Sequence, residues 1–185
     1  MVSSDLSGKL PIEPEAGLLV AFVNTRDLEE GTDTIAAPDR LADWASEHAG
    51  GVGVPEPQAH ERLLTLRESL RALLRANNGV RVGAADLEPL REAATRSRYR
   101  ASLDGDGRLA LGPDGEGAAA LEARLLLAVE RLQALGAWPR LKACPADDCQ
   151  WAFFDGSRNR SRTWCSMEEC GNREKTRRYR RKASS

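Results

Sequence analysis

The chain has 185 residues, enough for one hydrophobic core with a small module attached and too few for two full-sized domains. Its formal net charge is −1, which taken alone argues against a nucleic-acid partner, yet the charge is segregated: Pro139 to Ser185 hold 12 Lys and Arg against 6 Asp and Glu, while the residues before Pro139 hold 15 against 22. An acidic body therefore carries a basic tail.

Residues 1–16 contain prolines and little periodicity and are expected to form a loose arm. The apolar run "GLLVAFVNT" that follows predicts a helix ending near Gly31. It is far too short to cross a bilayer, and no leader pattern precedes it, so a soluble, cytoplasmic protein without membrane contact is expected. Pro38 at a first helical position opens a short helix through "DRLADWASEHA", closed by the loop "GGVGVPEP". Leu63, Leu66, Leu70 and Leu73 mark an amphipathic helix from about Glu56 to Ala76, with "NNG" as its stop signal. Residues 84–97 read as another helix. "RYRASLDGDGRLALGP" then alternates around a glycine-bearing turn, as a β-hairpin does, without the acidic spacing of a calcium loop. Leu121, Leu125, Ala128, Leu132 and Leu135 mark a further amphipathic helix that ends at Gly136. The expected fold class is mainly α: a helical domain over residues 1–137 with one β-hairpin, followed by a small zinc module over residues 138–185.

Cysteine spacing defines that module. Four residues separate Cys144 from Cys149, fifteen follow, and four separate Cys165 from Cys170. Two equal pairs across a hairpin-sized spacer suit one closed, structural Zn2+ held by four thiolates, and in a reducing cytosol this reading outweighs disulfides or buried free thiols. Neither His48 nor His60 lies in the module, which argues against an open catalytic zinc. Ser166 and Glu169 form a Ser-x-x-Glu capping box, which puts Cys165 and Cys170 at the two positions that a hydrophobic staple normally brings together at a helix start. Between the pairs, "QWAFFDGSRNRSRTW" reads as a hairpin in which Trp151 to Asp155 return through Arg160 to Trp164. Knuckle, hairpin and basic helix make a treble-clef-like arrangement.

With "CPADDC", "WAFFD", "SRNRSRTWCSMEECGNR" and "EKTRRYRRK" in view, the last 45 or so residues resemble the CGNR zinc finger. The body, with "LLVAFVNT" near its start, is similar to the helical ABATE domain that usually precedes this finger, although Ala21 stands where family members often carry an acidic residue. The resemblance implies a stress-linked bacterial transcription regulator that binds DNA through the finger.

The candidate nucleic-acid contacts are Arg158, Arg160 and Arg162 in the predicted hairpin, together with Asn172, Arg173, Lys175, Arg177, Arg178, Arg180, Arg181 and Lys182 in the basic helix. The hairpin arginines would equally serve to neutralise a zinc-tetrathiolate. At 3.6 residues per turn Arg173, Arg177, Arg180 and Arg181 share an arc of about 100°, and Lys175, Arg178 and Lys182 form a second stripe. Gly171 leaves two options: a continuous helix, or a break at Asn172 that frees a solvated basic arm. The first functional expectation is a nucleoid-associated DNA-binding regulator whose body senses a small-molecule ligand, recruits a partner or forms a homodimer. An RNA-binding module that stacks bases on its aromatics, and a small-molecule sensor or enzyme in the body, are the alternatives. No nucleophile, phosphate loop or carboxylate pair supports catalysis, so no enzyme is expected. Asn24, Arg26, Asp27 and His48 are the weak polar candidates in the body.

Overall fold

A computed structural model of the chain describes residues 13–183. The first helix, α1 (Glu13–Val23), turns Ala16, Leu19, Phe22 and Val23 inward at three- and four-residue spacing, against the later helices α3 (Pro57–Ala76) and α5 (Gly117–Ala134). Of the expected arm, residues 1–12 lie outside the described residues, and Glu13 to Ala16 are helical. The helix stops at Val23, well short of Gly31. Thr25 Oγ1 donates to the Phe22 carbonyl at 2.7 Å, and Asp27 Oδ1 accepts the backbone N–H groups of Glu29 and Glu30 at 2.9 and 3.0 Å. These side chains offer the backbone a turn in place of a further helical turn. The chain folds back as a short antiparallel ribbon of β1 (Arg26–Asp27) and β2 (Thr32–Asp33), with Gly31 at φ +67 in its bend.

Helix α2 (Pro38–His48) follows with Pro38 in its first turn, burying Leu41, Ala42 and Ala45. Helix α3 begins at Pro57 and buries Leu63, Leu66, Leu70 and Leu74, so Leu74 and not Leu73 completes the stripe. The same face buries two arginines, Arg67 (1% exposed) and Arg71 (2%), which their charge alone assigns to solvent. Arg67 forks onto Asp33 at 2.7 and 2.8 Å and reaches Thr25 Oγ1 at 3.0 Å. Arg71 donates to the carbonyls of Val23 (2.7 Å), Arg26 (3.1 Å) and Gln150 (3.1 Å), while Glu68 accepts from the Nε atoms of both arginines at 2.9 Å.

A 3-10 turn (Ala85–Leu87) leads into α4 (Glu88–Arg96), then into the antiparallel hairpin of β3 (Tyr99–Leu103) and β4 (Leu109–Pro113). Asp104 Oδ1 caps its turn by accepting from the N–H groups of Asp106 and Arg108. Helix α5 packs Leu121, Leu125, Ala128 and Leu132 into the core and ends before Gly136, at φ +65. Among the described residues no helix is long and apolar enough to cross a membrane.

Strands β5 (Leu141–Ala143) and β6 (Ala152–Phe154) pair antiparallel, Leu141 opposite Phe154. This replaces the expected pairing of residues 151–155 with 160–164. The earlier strand LKA is fully buried and takes the partner's place, while residues 160–164 are held by a side chain instead of a ladder. Leu141, Ala143 and Ala152 lie in the same core as the helices. Asn24 sits beside β6 like one more strand residue: its Nδ2 donates to the Ala152 carbonyl at 2.9 Å and its Oδ1 accepts the Ala152 N–H at 2.7 Å.

Truncating Arg71 would leave three carbonyls from separate segments without their donor. R71A is expected to lower the unfolding free energy by about 2–5 kcal/mol in urea titration; a loss under about 0.5 kcal/mol, the range of an ordinary surface substitution, would show that the buried fork is dispensable.

Candidate metal centre and basic helix

Cys144 follows β5 directly, and its N–H donates to the Trp151 carbonyl at 2.9 Å, closing the hairpin around the first cysteine pair. The turn between them is tight, since the Ala146 carbonyl accepts from both Cys149 N and Gln150 N at 3.1 Å, and Gln150 takes the left-handed conformation at φ 53. Arg71, which holds the Gln150 carbonyl, therefore grips the chain immediately after the second cysteine.

The second pair is built as the capping pattern predicts. Ser166 Oγ accepts the Glu169 N–H at 3.3 Å, and Cys165 Sγ and Cys170 Sγ meet at 3.5 Å across the helix start. The first turn, Met167–Gly171, is wider than an α-turn, with Gly171 N bonding to the Ser166 carbonyl at 3.1 Å, and it runs without a break into α6 (Asn172–Ala183). The helix is thus continuous through Gly171 and Asn172. A Cβ at Gly171 would lie 2.6 Å from Met167 Sδ and 3.3 Å from Trp164 Cδ1, so the exposed Met167 side chain, which packs over this glycine, would have to shift.

The four sulfurs lie within 4.8 Å of one another, with Cys149 and Cys165 3.5 Å apart. Zinc–sulfur bonds of about 2.3 Å place the corners of a tetrahedron about 3.8 Å apart, so the set fits one structural zinc with no open position. The electrostatics ask for a cation. A hydrogen bond from Cys149 holds the Cys144 thiol down to about 5, the same contact drives Cys149 far above the ordinary range, and burial pushes Cys165 up to about 12. A dication at the centre of the four sulfurs would favour the thiolate form of each ligand.

Basic groups surround the cluster in distinct roles. Arg173 donates from Nη2 to Cys170 Sγ at 3.1 Å and forks onto the Glu29 carboxylate in the β1–β2 bend, and Glu29 first, then the sulfur, raises its pKa. Arg177 pairs with Asp148 in the first knuckle at 2.8 Å, which holds the Asp148 carboxyl below its usual range. Asn172 Nδ2 donates to the Glu168 carbonyl at 3.0 Å, stapling the wide turn. Arg162 lays its guanidinium 4.6 Å from the centre of the Phe153 ring and donates to the carbonyls of Trp164 and Cys165. Arg158, Arg160, Lys175 and Arg180 have exposed side chains. For Arg178, Arg181 and Lys182 only the helix backbone is described; their side chains lie outside the described residues.

Several residues that build the site carry no motif of their own. Buried Lys142 donates from Nζ to Asp155 Oδ2 (2.8 Å) and to the carbonyls of Arg160 (2.7 Å) and Arg162 (2.9 Å), so it organises the loop that returns to Cys165. Burial alone would raise the Asp155 carboxyl, but Lys142 and the Ser157 donors outweigh it and hold it well below the usual carboxylate range. The Asp-Gly-Ser sequence after β6 is an Asx-turn signal that marks Asp155 in retrospect. Asn77 reaches the carbonyls of Trp138 and Leu141, and Asn78 those of Ala143 and Thr163, so the residues that stop α3 also bind the finger. The weak polar candidates of the body have structural partners: Asn24 on β6, Arg26 3.7 Å from Glu68, Asp27 in its turn, and His48 stacked on Trp44 with ring centroids 4.9 Å apart.

Four thiolates at the foot of a basic helix, docked on a helical body, define a zinc-finger protein with a helical N-terminal domain. Residues 140–183 match the CGNR zinc finger, and residues 16–140 match ABATE, described as "Putative stress-induced transcription regulator". The second match spans more than half of the chain, which therefore belongs to the ABATE family and carries a CGNR zinc finger. Comparison with curated proteins gives no match.

Because β5 and β6 belong to the common core, zinc should stabilise the whole molecule. Chelation is expected to move one calorimetric transition to lower temperature; a separate low-temperature transition for the finger, with the main one unmoved, would contradict the shared core. Asp155 supplies a pH-dependent share of stability. Its folded pKa is depressed, so that share is complete above the unfolded value of about 3.9 and is lost as pH falls through the folded value. D155N should be less stable than the parent at neutral pH, and the gap should narrow as urea titrations move below about pH 4.

Proposed function

We propose that this zinc-binding member of a regulator family acts on duplex DNA, and that α6 lies among phosphates while the zinc cluster fixes its start. The observation that carries this reading is the continuity of the helix from its sulfur-anchored cap through Ala183. A 12-residue helix is about 18 Å long, enough to traverse a major groove about 12 Å wide. Positions 175, 178 and 182 fall on the side of the helix opposite 173 and 177. The stripe of Arg173 and Arg177 anchors α6 to Glu29 and Asp148, and the stripe of Lys175, Arg178 and Lys182 faces the phosphates. Arg158 and Arg160 add exposed charge on the finger, Arg180 falls on the side of Arg173 and Arg177, and Asn172 and Arg162 position the finger. In this reading the chain is a binding protein and not an enzyme.

Single-stranded RNA is the second reading, favoured by Tyr179, 76% exposed on α6, and Trp151, 37% exposed beside the knuckle. Phe153 is buried, Phe154 is half-buried against the core and Trp164 is half-buried against the cysteines, so Tyr179 and Trp151 are the exposed rings of the finger.

Neutralising about six phosphates gives a log–log slope of affinity against salt of about −5. Fluorescence anisotropy on duplex DNA is expected to give that slope, with K175A lowering its magnitude by about 1. A slope near zero would refute phosphate contact, and preferential competition by single-stranded RNA would transfer the function to the second reading.

A further inference from the structure

A cavity of about 100 Å³ lies on the body, on α3, the α4 end and the start of α5, lined by Arg62, Ser97, Arg98, Ala118, Ala119 and Glu122 among others. Its walls combine three features that one kind of ligand would satisfy. The first is the N-terminus of α5, an 18-residue helix whose cap residue, Glu116, makes no side-chain hydrogen bond to the first turn, so the leading N–H groups keep their partial positive charge without a capping oxygen. The second is Ser97, 9% exposed, whose hydroxyl is buried and has no hydrogen-bond partner. A buried hydroxyl left in that state costs free energy unless something bonds to it.

The third feature is the balance of charge. Two carboxylates line the cavity, and each already has an arginine: Glu122 pairs with Arg96 at 3.1 Å, and Asp114 with Arg100 at 3.1 Å. Two guanidinium groups remain. Arg62 makes no hydrogen bond or ion pair among the described residues, and Arg98 donates only to the backbone carbonyls of Thr95, Arg96 and Ser97, at 3.3 to 3.4 Å. With both carboxylates already paired, helix-end N–H groups, a hydroxyl donor and two guanidiniums without carboxylate partners leave the pocket with an excess of donors.

We propose that this cavity binds a small oxyanion, a phosphate group or a carboxylate, held by Arg62, Arg98, Ser97 Oγ and the first N–H groups of α5. The space suits one such group and not a bulky body, so a larger ligand would enter by its anionic end and leave the remainder outside. The site is on α3, the helix whose far end carries Arg71, Asn77 and Asn78 onto the finger, which places an anion and the zinc module on one rigid element.

The test uses the zinc-loaded full chain and needs no DNA, so its failure leaves the DNA reading standing. Sodium phosphate and sodium acetate are each titrated against sodium chloride at matched ionic strength, with thermal unfolding and amide NMR shifts as readouts. At about ten times the dissociation constant a bound anion should raise Tm by about 3 to 6 °C, with shift changes concentrated at Ser97, Ala118 and Ala119. A response to phosphate alone or to acetate alone identifies which anion the pocket takes. R62A should reduce the response while leaving the fold intact, because Arg62 has no partner to lose. S97A should keep or raise the stability of the ligand-free protein and weaken anion binding. Responses to neither anion, shifts confined to α6, or undiminished responses in both variants would overturn the proposal.

Discussion

One guanidinium joins the parts of this molecule that sequence similarity treats as separate. Arg71 is buried in the middle of α3, and its donors end on the carbonyls of Val23, Arg26 and Gln150, from the end of α1, the β1 ribbon and the zinc knuckle. Burying a charge is costly, and the cost is met here by three carbonyls and the Glu68 carboxylate. Burial holds the Arg71 pKa below its usual value, although an arginine remains charged at any physiological pH. A lysine, with a compact ammonium in place of a planar fork, cannot span the three carbonyls at once.

That arrangement changes what the finger is. A zinc module on a flexible linker would bind nucleic acid independently of the body. Here Asn24 pairs with Ala152, Asn77 and Asn78 bind four carbonyls on the finger side, and β5 is in the common core. A change in the packing of α3 therefore acts directly on the cysteine turns. The route is a rigid element with contacts at both ends, which is the physical requirement for coupling two sites, although a second stable arrangement would be needed for a switch.

The residues that sequence reasoning read well act over a few positions. The two cysteine pairs, the Ser166 cap, Pro38 at a helix start, and the β3–β4 hairpin all depend on neighbours within a turn or two, and each stands in the structure as the spacing predicts. The misreadings share a different cause. Helix α1 ends early because Thr25 and Asp27 redirect the backbone, and residues 160–164 form no strand because Lys142 takes their carbonyls from across the module. Arg67 and Arg71 stand at the right spacing for the buried face of α3, but composition assigns arginines to water; only their partners, dozens of residues away in sequence, make burial affordable. Periodicity cannot find such residues, because their positions are set by tertiary hydrogen bonds between side chains and backbone.

The charge segregation acquires a direction from these contacts. Glu29 of the body and Asp148 of the first knuckle bind the stripe of α6 nearest the cysteines, so the helix is held with that stripe toward the protein. Exposed Lys175 lies on the opposite side of the helix from that stripe. In the proposed encounter with DNA, a helix held in this orientation would be turned toward the polyanion before contact. The protein's nearly neutral total charge limits non-specific attraction from other directions. An unanchored basic arm would carry the same charge without this orientation, since its arginines would sample every side of the body, including the acidic one. The zinc, the cap and the two anchoring ion pairs therefore determine where the charge is, and for an overall charge of −1 that matters more than how much of it there is.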